Sequence, residues 1–357
     1  MLQRDENSEY RPRHASDEDD DYDDYAPEPP ISYRSRQLPG RVESAIQAVG
    51  LGKKYPRAGG EVHAVRGVDL TVNYGEIFGM LGPNGAGKST TIGMLTTMVV
   101  PTSGRAWICG MDVARNPVEV KRRIGVVSQN NTLDNELTIL ENLEFRARYF
   151  GMRHSDARQR ARELLEMVNL TDRQKAKAYQ MSGGQAQRVM ICRALVHRPE
   201  VLFLDEPTVA LDPQTRVRLW DLLRQLQAGG QTILITTHHM EEVEELCERL
   251  AIIDHGRLLL DGTVAGLKTH AGGDTVITVS YSGTVPASID LFRTRRGVSK
   301  VEITGRKVRV FTREPNGVLS DLVSAGLAVG VRIADAAETP PTLQSAFLNL
   351  TGREYRE

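Results

Sequence analysis

Nine consecutive residues, Gly82-Pro83-Asn84-Gly85-Ala86-Gly87-Lys88-Ser89-Thr90, constrain this chain more than any other stretch. They have the spacing GxxxxGK[ST] and follow Glu76-Ile77-Phe78-Gly79-Met80-Leu81, which reads as a strand, as does the alternating run Val65 to Val72. The glycines let a loop wrap with its N–H groups inward, and a helix starting near Ser89 aims its positive end at the same point. A polyphosphate is the ligand such a loop binds. Lys88 is spaced to reach the outer phosphates as a point charge, and the Ser89 hydroxyl suits a magnesium ion bridging two of them. GTPases, kinases, helicases and transporters share this loop, so the rest of the chain must decide among them.

Downstream, Ile124-Gly125-Val126-Val127-Ser128-Gln129 reads as a short buried strand with a polar exit. Gln129 could give an oxygen to magnesium and sense the γ-phosphate, although a lone glutamine after a strand is more often just a loop residue. Residues 134–180 carry apolar residues at helical spacing and read as helical packing. They lead into Met181-Ser182-Gly183-Gly184-Gln185 ahead of a helical run from Ala186 to Val196, and Ser-Gly-Gly at a helix start is either a cap or a second anion site. Val201-Leu202-Phe203-Leu204-Asp205-Glu206-Pro207 reads as a buried parallel strand ending in two acids. There Asp205 can hold the magnesium shell and Glu206 can orient and deprotonate a water. Thr232 to Thr237 is a further buried strand, ending at His238, which could touch a γ-phosphate.

Composition narrows the class. With 357 residues, 40% of them hydrophobic, the chain can bury a large core divided into more than one domain. Residues 1–41 hold eleven acids against six arginines, with the run Asp17 to Asp24 and a proline cluster after it, and read as a disordered acidic tail. The remainder is only about four charges positive, so no nucleic-acid partner is expected. No stretch approaches the roughly 18 apolar residues of a membrane span, and the N-terminus lacks a signal-peptide core, so a cytosolic site is expected. Cys109, Cys192 and Cys247 form no CxxC pair and read as buried free thiols.

In this order the pieces resemble one family, the ATP-binding cassette, over roughly residues 44–265. The resemblance implies an α/β P-loop NTPase fold: a RecA-like core in residues 42–265 with a helical subdomain at about 130–185. It also implies ATP and Mg2+ as ligands. Tyr55 matches the aromatic that stacks on adenine, Lys88 and Ser89 the Walker A pair, Gln129 the Q-loop, and Ser182 to Gln185 the signature. Asp205 and Glu206 match Walker B, Ala210-Leu211-Asp212 the D-loop, and His238 the switch histidine, aligned through Thr237-His238-His239-Met240-Glu241-Glu242. Gly82, Asn84, Gly85, Ala86, Gly87 and Thr90 would contact nucleotide with them, as would Gly183, Gly184 and Asp212. Met181, Ala186 and Val209 depart from the commonest pattern without removing a catalytic group. By the same resemblance, two cassettes (a homodimer or a pair of paralogues) sandwich two ATP head to tail beneath integral membrane permease subunits. A groove near Gln129 would receive a helix from the permease, with the chain peripheral on the cytoplasmic face of the membrane.

Beyond Gly262 short strands are expected at 275–281, 300–304, 307–312 and 329–334, with helices near 287–295 and 318–325. That order predicts a small ferredoxin-like α+β module within an accessory domain at 266–357, closed by an amphipathic helix over 341–353. The closing segment is similar to that of cassette subunits of drug-, lipid- and polysaccharide-exporting systems, including the daunorubicin-resistance type, which favours export. The alternative is a soluble cassette ATPase of the translation, DNA-repair or iron–sulphur type. Against it, the chain has one cassette, and only 93 residues separate Ser89 from Ser182, too few for an inserted coiled coil. A P-loop kinase or GTPase would leave Ser182-Gly183-Gly184-Gln185 unexplained.

Overall fold

The computed structural model describes residues 44–57, 60–209, 211–271 and 273–351. The acidic tail at 1–41 and Ala210 of the Ala-Leu-Asp motif lie outside the described residues.

The described residues open with a long antiparallel hairpin, β1 (Ile46–Arg57) and β2 (Gly60–Val72), followed by β3 (Ile77–Leu81) and, through the glycine loop, α1 (Lys88–Leu95). β4 (Ser103–Ile108) and the short β5 (Met111–Asp112) join the hairpin in an antiparallel sheet of order β2-β1-β4-β5. After α2 (Pro117–Arg123) come β6 (Ile124–Val127) and a helical layer of α3 (Ile139–Tyr149) and α4 (His154–Met167), whose first helix starts at a Thr138/Glu141 capping box. The helical stretch expected over 134–180 divides at Gly151, with φ of 86°, into α3 and α4 and finishes in two single 3-10 turns.

Four further strands and four helices follow. They are α5 (Gly183–Leu195), β7 (Val201–Asp205), α6 (Pro213–Ala228), β8 (Thr232–Thr237), α7 (Met240–Leu246), β9 (Arg249–Asp254), β10 (Arg257–Thr263) and, after it, α8 (Val264–Ala271). The second sheet has the order β10-β9-β3-β8-β7-β6, parallel except for β10. Its central strands β3, β8 and β7 are buried almost throughout because both faces are covered, and their few polar residues, the threonines of β8 and Asp205, sit at strand ends. The two-residue period sorts them: Phe78, Met80, Phe203 and Leu234 pack toward α1 and the antiparallel sheet, while Leu81, Leu202, Leu204, Ile233 and Ile235 pack toward α5, α6 and α7. A one-residue slip of β7 would reverse that sorting, so the register is fixed by burial.

The C-terminal module contains β11 (Thr275–Tyr281), a 3-10 helix at Ala287–Thr294, β12 (Val298–Thr304), β13 (Lys307–Thr312), α9 (Val318–Ala328) and β14 (Ile333–Thr339). All pairings are antiparallel in the order β12-β13-β11-β14, the ferredoxin-like arrangement that the sequence predicts. Two details correct the expectation. The first helix is 3-10, not α, and the last strand lies at 333–339, four residues later than expected. The closing helix, α10 (Leu343–Thr351), returns to the cassette: Leu343 and Phe347 share a core with Leu246, Leu250 and Leu267.

Candidate functional site

Four parallel strands, β3, β8, β7 and β6, finish side by side, with Leu81 beside Thr237 and Asp205 beside Thr236. Their carboxyl ends deliver the glycine loop, His238, the Asp205–Glu206 pair and Gln129 to one edge, the place where open α/β sheets bind ligands.

The loop is shaped by backbone contacts. Gly87 caps α1 at φ 106° with no side-chain cap, and a Cβ there would meet the Ala64 carbonyl at 2.5 Å, so β2 passes too close for any other residue. Gly82 N–H donates to the Thr237 carbonyl at 3.3 Å, tying the loop's start to the end of β8. Lys88 is 4% exposed and points back beneath the loop, donating to the carbonyls of Gly82 at 2.7 Å and Pro83 at 3.2 Å. Asn84, Gly85 and Ser89 remain exposed at its mouth.

Glu206 sits where the elements converge. Its backbone is left-handed at φ 49°, held there by N–H bonds to the Thr236 carbonyl at 3.0 Å and hydroxyl at 3.2 Å. The side chain is 8% exposed; one carboxylate oxygen lies 3.0 Å from Lys88 Nζ, the other 3.2 Å from His238 Nδ1 and 3.5 Å from Gln129 Nε2. Burial raises this carboxyl, but the hydrogen bonds and charges of Lys88 and His238 outweigh it and hold it below the ordinary carboxylate range. Asp205 accepts from the Thr236 hydroxyl. Thus Lys88, Gln129, Glu206 and His238 meet in one cluster, with Asp205 one residue from Glu206 in the chain. The neighbouring His239 stacks obliquely on His238, ring centres 4.2 Å apart.

The Ser182–Gln185 segment belongs to a separate network. Ser182 Oγ accepts from Gln185 N–H at 3.3 Å, and the Gln185 side chain accepts from Ser182 N–H at 3.0 Å, a reciprocal cap on α5. Capping is therefore present, and Ser182 and Gly183 also stand exposed at the helix start. Asp212 caps α6 one way only, accepting from both the N–H and the hydroxyl of Thr215, which hold its carboxyl below the ordinary range. A Cβ on Gly184 would strike Thr215 at 2.1 Å, so the two caps pack together. Tyr55 lies exposed on β1, paired with Val62 of β2 two residues before Ala64, the residue against the loop; Lys53 lies over its ring at 5.1 Å.

Sequence reading missed two side chains at this edge: Thr236, which holds both Asp205 and the Glu206 backbone, and the buried Glu242 of α7. Strand alternation gives a threonine no distinguishing mark. Glu242 is hidden in a run of glutamates that resembles a solvated helix face.

Residues 65–209 match the family described as ABC transporter. The linearmycin resistance ATP-binding protein of Bacillus subtilis (strain 168) is 38% identical over 87% of this chain and 100% of its own length. The Nod factor export ATP-binding protein I of Ralstonia nicotianae is 39% identical over 92% of this chain and 100% of its own. A daunorubicin resistance ATP-binding protein of Streptomyces coeruleorubidus is 39% identical over 86% and 95%. Among solved structures, a dimeric ATP-binding cassette in a post-hydrolysis state with ADP and Pi superimposes with a TM-score of 0.57 at 30% identity, covering 61% of this chain and 98% of that one. With the phosphate loop, the acid pair and the capped Ser182 helix arranged as described, the chain belongs to the ATP-binding-cassette transporter family, as an ATP-hydrolysing subunit.

Proposed function

We propose that this chain holds Mg-ATP in its Gly82–Thr90 loop against the Ser182–Gln185 segment of a second cassette, and that hydrolysis drives separate membrane permease subunits of an export system. The convergence of Lys88, Gln129 and His238 on the single buried carboxylate of Glu206 carries this reading, because phosphoryl transfer depends on positioned charge more than on covalent chemistry. Glu206 then orients and deprotonates the attacking water, while Lys88 and His238 face the phosphates. Tyr55 stacks on adenine from the hairpin beside the loop.

For magnesium the donor set fits: the Ser89 hydroxyl, the Gln129 amide and the Asp205 carboxylate offer hard oxygens around a phosphate site. No cage of three or more His, Cys, Asp or Glu gathers among the described residues, and a magnesium ion held through phosphates and water needs none. When bound, the ion would supply charge neutralisation at the phosphate oxygens.

Export is supported by the relatives, which are named for drug resistance and Nod factor export. No described helix is long and apolar enough to cross a membrane, so the transport path would lie in partner subunits and the chain would sit at the cytoplasmic face. We assign residues 1–41 as a tail, 42–265 as the cassette and 266–357 as an accessory domain. The deciding experiment compares Mg-ATP hydrolysis and ATP-dependent dimerisation of the full chain with Glu206→Gln. A stable ATP-bound dimer of the variant with negligible turnover supports the reading; a monomeric variant that hydrolyses ATP like the parent removes it.

A further inference from the structure

One buried carboxylate ties the Glu206 turn and the His238 strand end to helix α6, which the catalytic cluster does not reach. Glu242, on the first turn of α7, is fully buried. One of its oxygens accepts from the Thr208 hydroxyl at 3.1 Å and the other from the Trp220 indole N–H at 3.3 Å, and the neighbouring Thr237 hydroxyl also favours its charged form. Burial pushes this carboxyl up in opposition to those three groups. A carboxylate removed from water needs its acceptors filled, and here the groups around it can all donate.

The partners' places in the chain give the site its meaning. Thr208 lies two residues after Glu206, in the turn whose left-handed start aims that carboxylate. Thr237 precedes His238, and its carbonyl receives the N–H of Gly82 at the head of the phosphate loop. Trp220 lies on α6, the helix capped by Asp212, whose Thr215 packs against Gly184. Glu242 therefore sits between the phosphate-facing edge of this chain and the helix leading to the surface where a second cassette would approach.

We infer that Glu242 is a positioning residue for hydrolysis, fixing the Glu206 turn, the His238 strand end and helix α6 in one register through Thr208, Thr237 and Trp220. The inference rests on the reading that Glu206 and His238 carry the chemistry. It assigns Glu242 no contact with nucleotide. Loss of its bonds would let reacting groups shift by a fraction of an ångström while the loop that binds ATP stays intact, a displacement that costs turnover more than affinity.

The test measures kcat, KM and ATP affinity of the full chain in Glu242→Ala, Glu242→Gln and Trp220→Phe. Trp220 emission is read in a Trp107→Phe background, since these are the only two tryptophans. We expect Glu242→Ala to lose kcat by roughly tenfold or more with ATP affinity within about twofold. Glu242→Gln, whose amide oxygen still accepts, should recover most of the rate, and ATP should shift Trp220 emission in the parent but not in Glu242→Ala. Parental kcat in Glu242→Ala, or a loss confined to ATP affinity, overturns the inference. Should Glu242→Ala fail to fold, Trp220→Phe decides, because it removes one N–H donor and keeps the ring: a lowered kcat supports the role and an unchanged one overturns it. Full hydrolysis by Glu206→Gln would instead remove the underlying reading, so the two failures are told apart.

Discussion

The ammonium of Lys88 lies 3.0 Å from Glu206, both side chains buried, so the group spaced to grip phosphate also balances the charge of the carboxylate at the centre of the site. A phosphate entering the loop would share a cation already committed to Glu206 and two carbonyls.

Lys88→Met should weaken ATP binding and change how stability depends on pH. The Glu206 carboxyl is held below its ordinary 4.5 in the folded chain, so its attraction to Lys88 and His238 contributes stability above about pH 4.5 and loses it as pH falls through the lower folded value. Without Lys88, burial is left opposed by His238 and the more distant Gln129 amide. The Tm gap between parent and Lys88→Met should be widest near pH 7 and narrow below about pH 4.5. A gap independent of pH would show that Lys88 does not act through Glu206.

Gly183 and Gly184 separate packing from function. A Cβ at Gly183 meets nothing within 4 Å, so Gly183→Ala should fold as the parent does, gaining at most about 1 kcal/mol from helix propensity. Its hydrolysis should nonetheless fall if that open helix start caps nucleotide held by a partner. At Gly184 a Cβ would strike Thr215, itself pinned twice to Asp212, and Gly184→Ala should cost about 1–3 kcal/mol in denaturant unfolding. Parental hydrolysis by Gly183→Ala would count against the two-cassette site.

The three cysteines should resist thiol reagents in the folded chain. Burial pushes the thiols of Cys109 and Cys192 up to about 12 and raises that of Cys247 as well, so little thiolate exists at pH 8. Labelling should be negligible without denaturant and reach three thiols per chain at the unfolding midpoint and beyond. Prompt native labelling would show that the core around the β4–β5 turn, α5 or α7 opens readily.

What the sequence discloses follows from which signals are local. The strand, glycine loop and helix from Ile77 to Leu95 are legible because each residue there answers to its own backbone or to the phosphates. β1 escapes a pattern reading: its pairing shifts register near Ala48, Leu51 and Lys53, and the run ends in Lys-Lys-Tyr-Pro-Arg. β14 is misplaced for a different reason: it is an edge strand, exposed along nearly its whole length, so Ala-Asp-Ala-Ala-Glu-Thr carries no alternation, whereas the apolar Val329 and Val331 beside it imitate a strand. The chemistry at Lys88, Glu206 and His238 is readable as motifs; their common meeting point is tertiary, set by the order β3-β8-β7-β6.

The closing helix should carry more stability than its position at the chain end implies. Leu343 and Phe347 are buried in the cassette core beside Leu246 of α7 and Leu267 of α8. The Leu343 N–H donates to Glu244 of α7 at 3.4 Å, and the same carboxylate pairs with Lys268 of α8 at 3.0 Å. Phe347→Ala should therefore destabilise the chain by about 3–5 kcal/mol, whereas Leu327→Ala, on the exposed end of α9, should cost under about 0.5 kcal/mol. Because α7 begins two residues after His238 and carries Glu242, loosening α10 should lower hydrolysis at temperatures below the unfolding transition. Urea unfolding and ATPase rates measured on both variants check this. Equal stability losses would mean that α10 merely covers the surface, and a destabilised Phe347→Ala with parental turnover would uncouple the C-terminal helix from the switch.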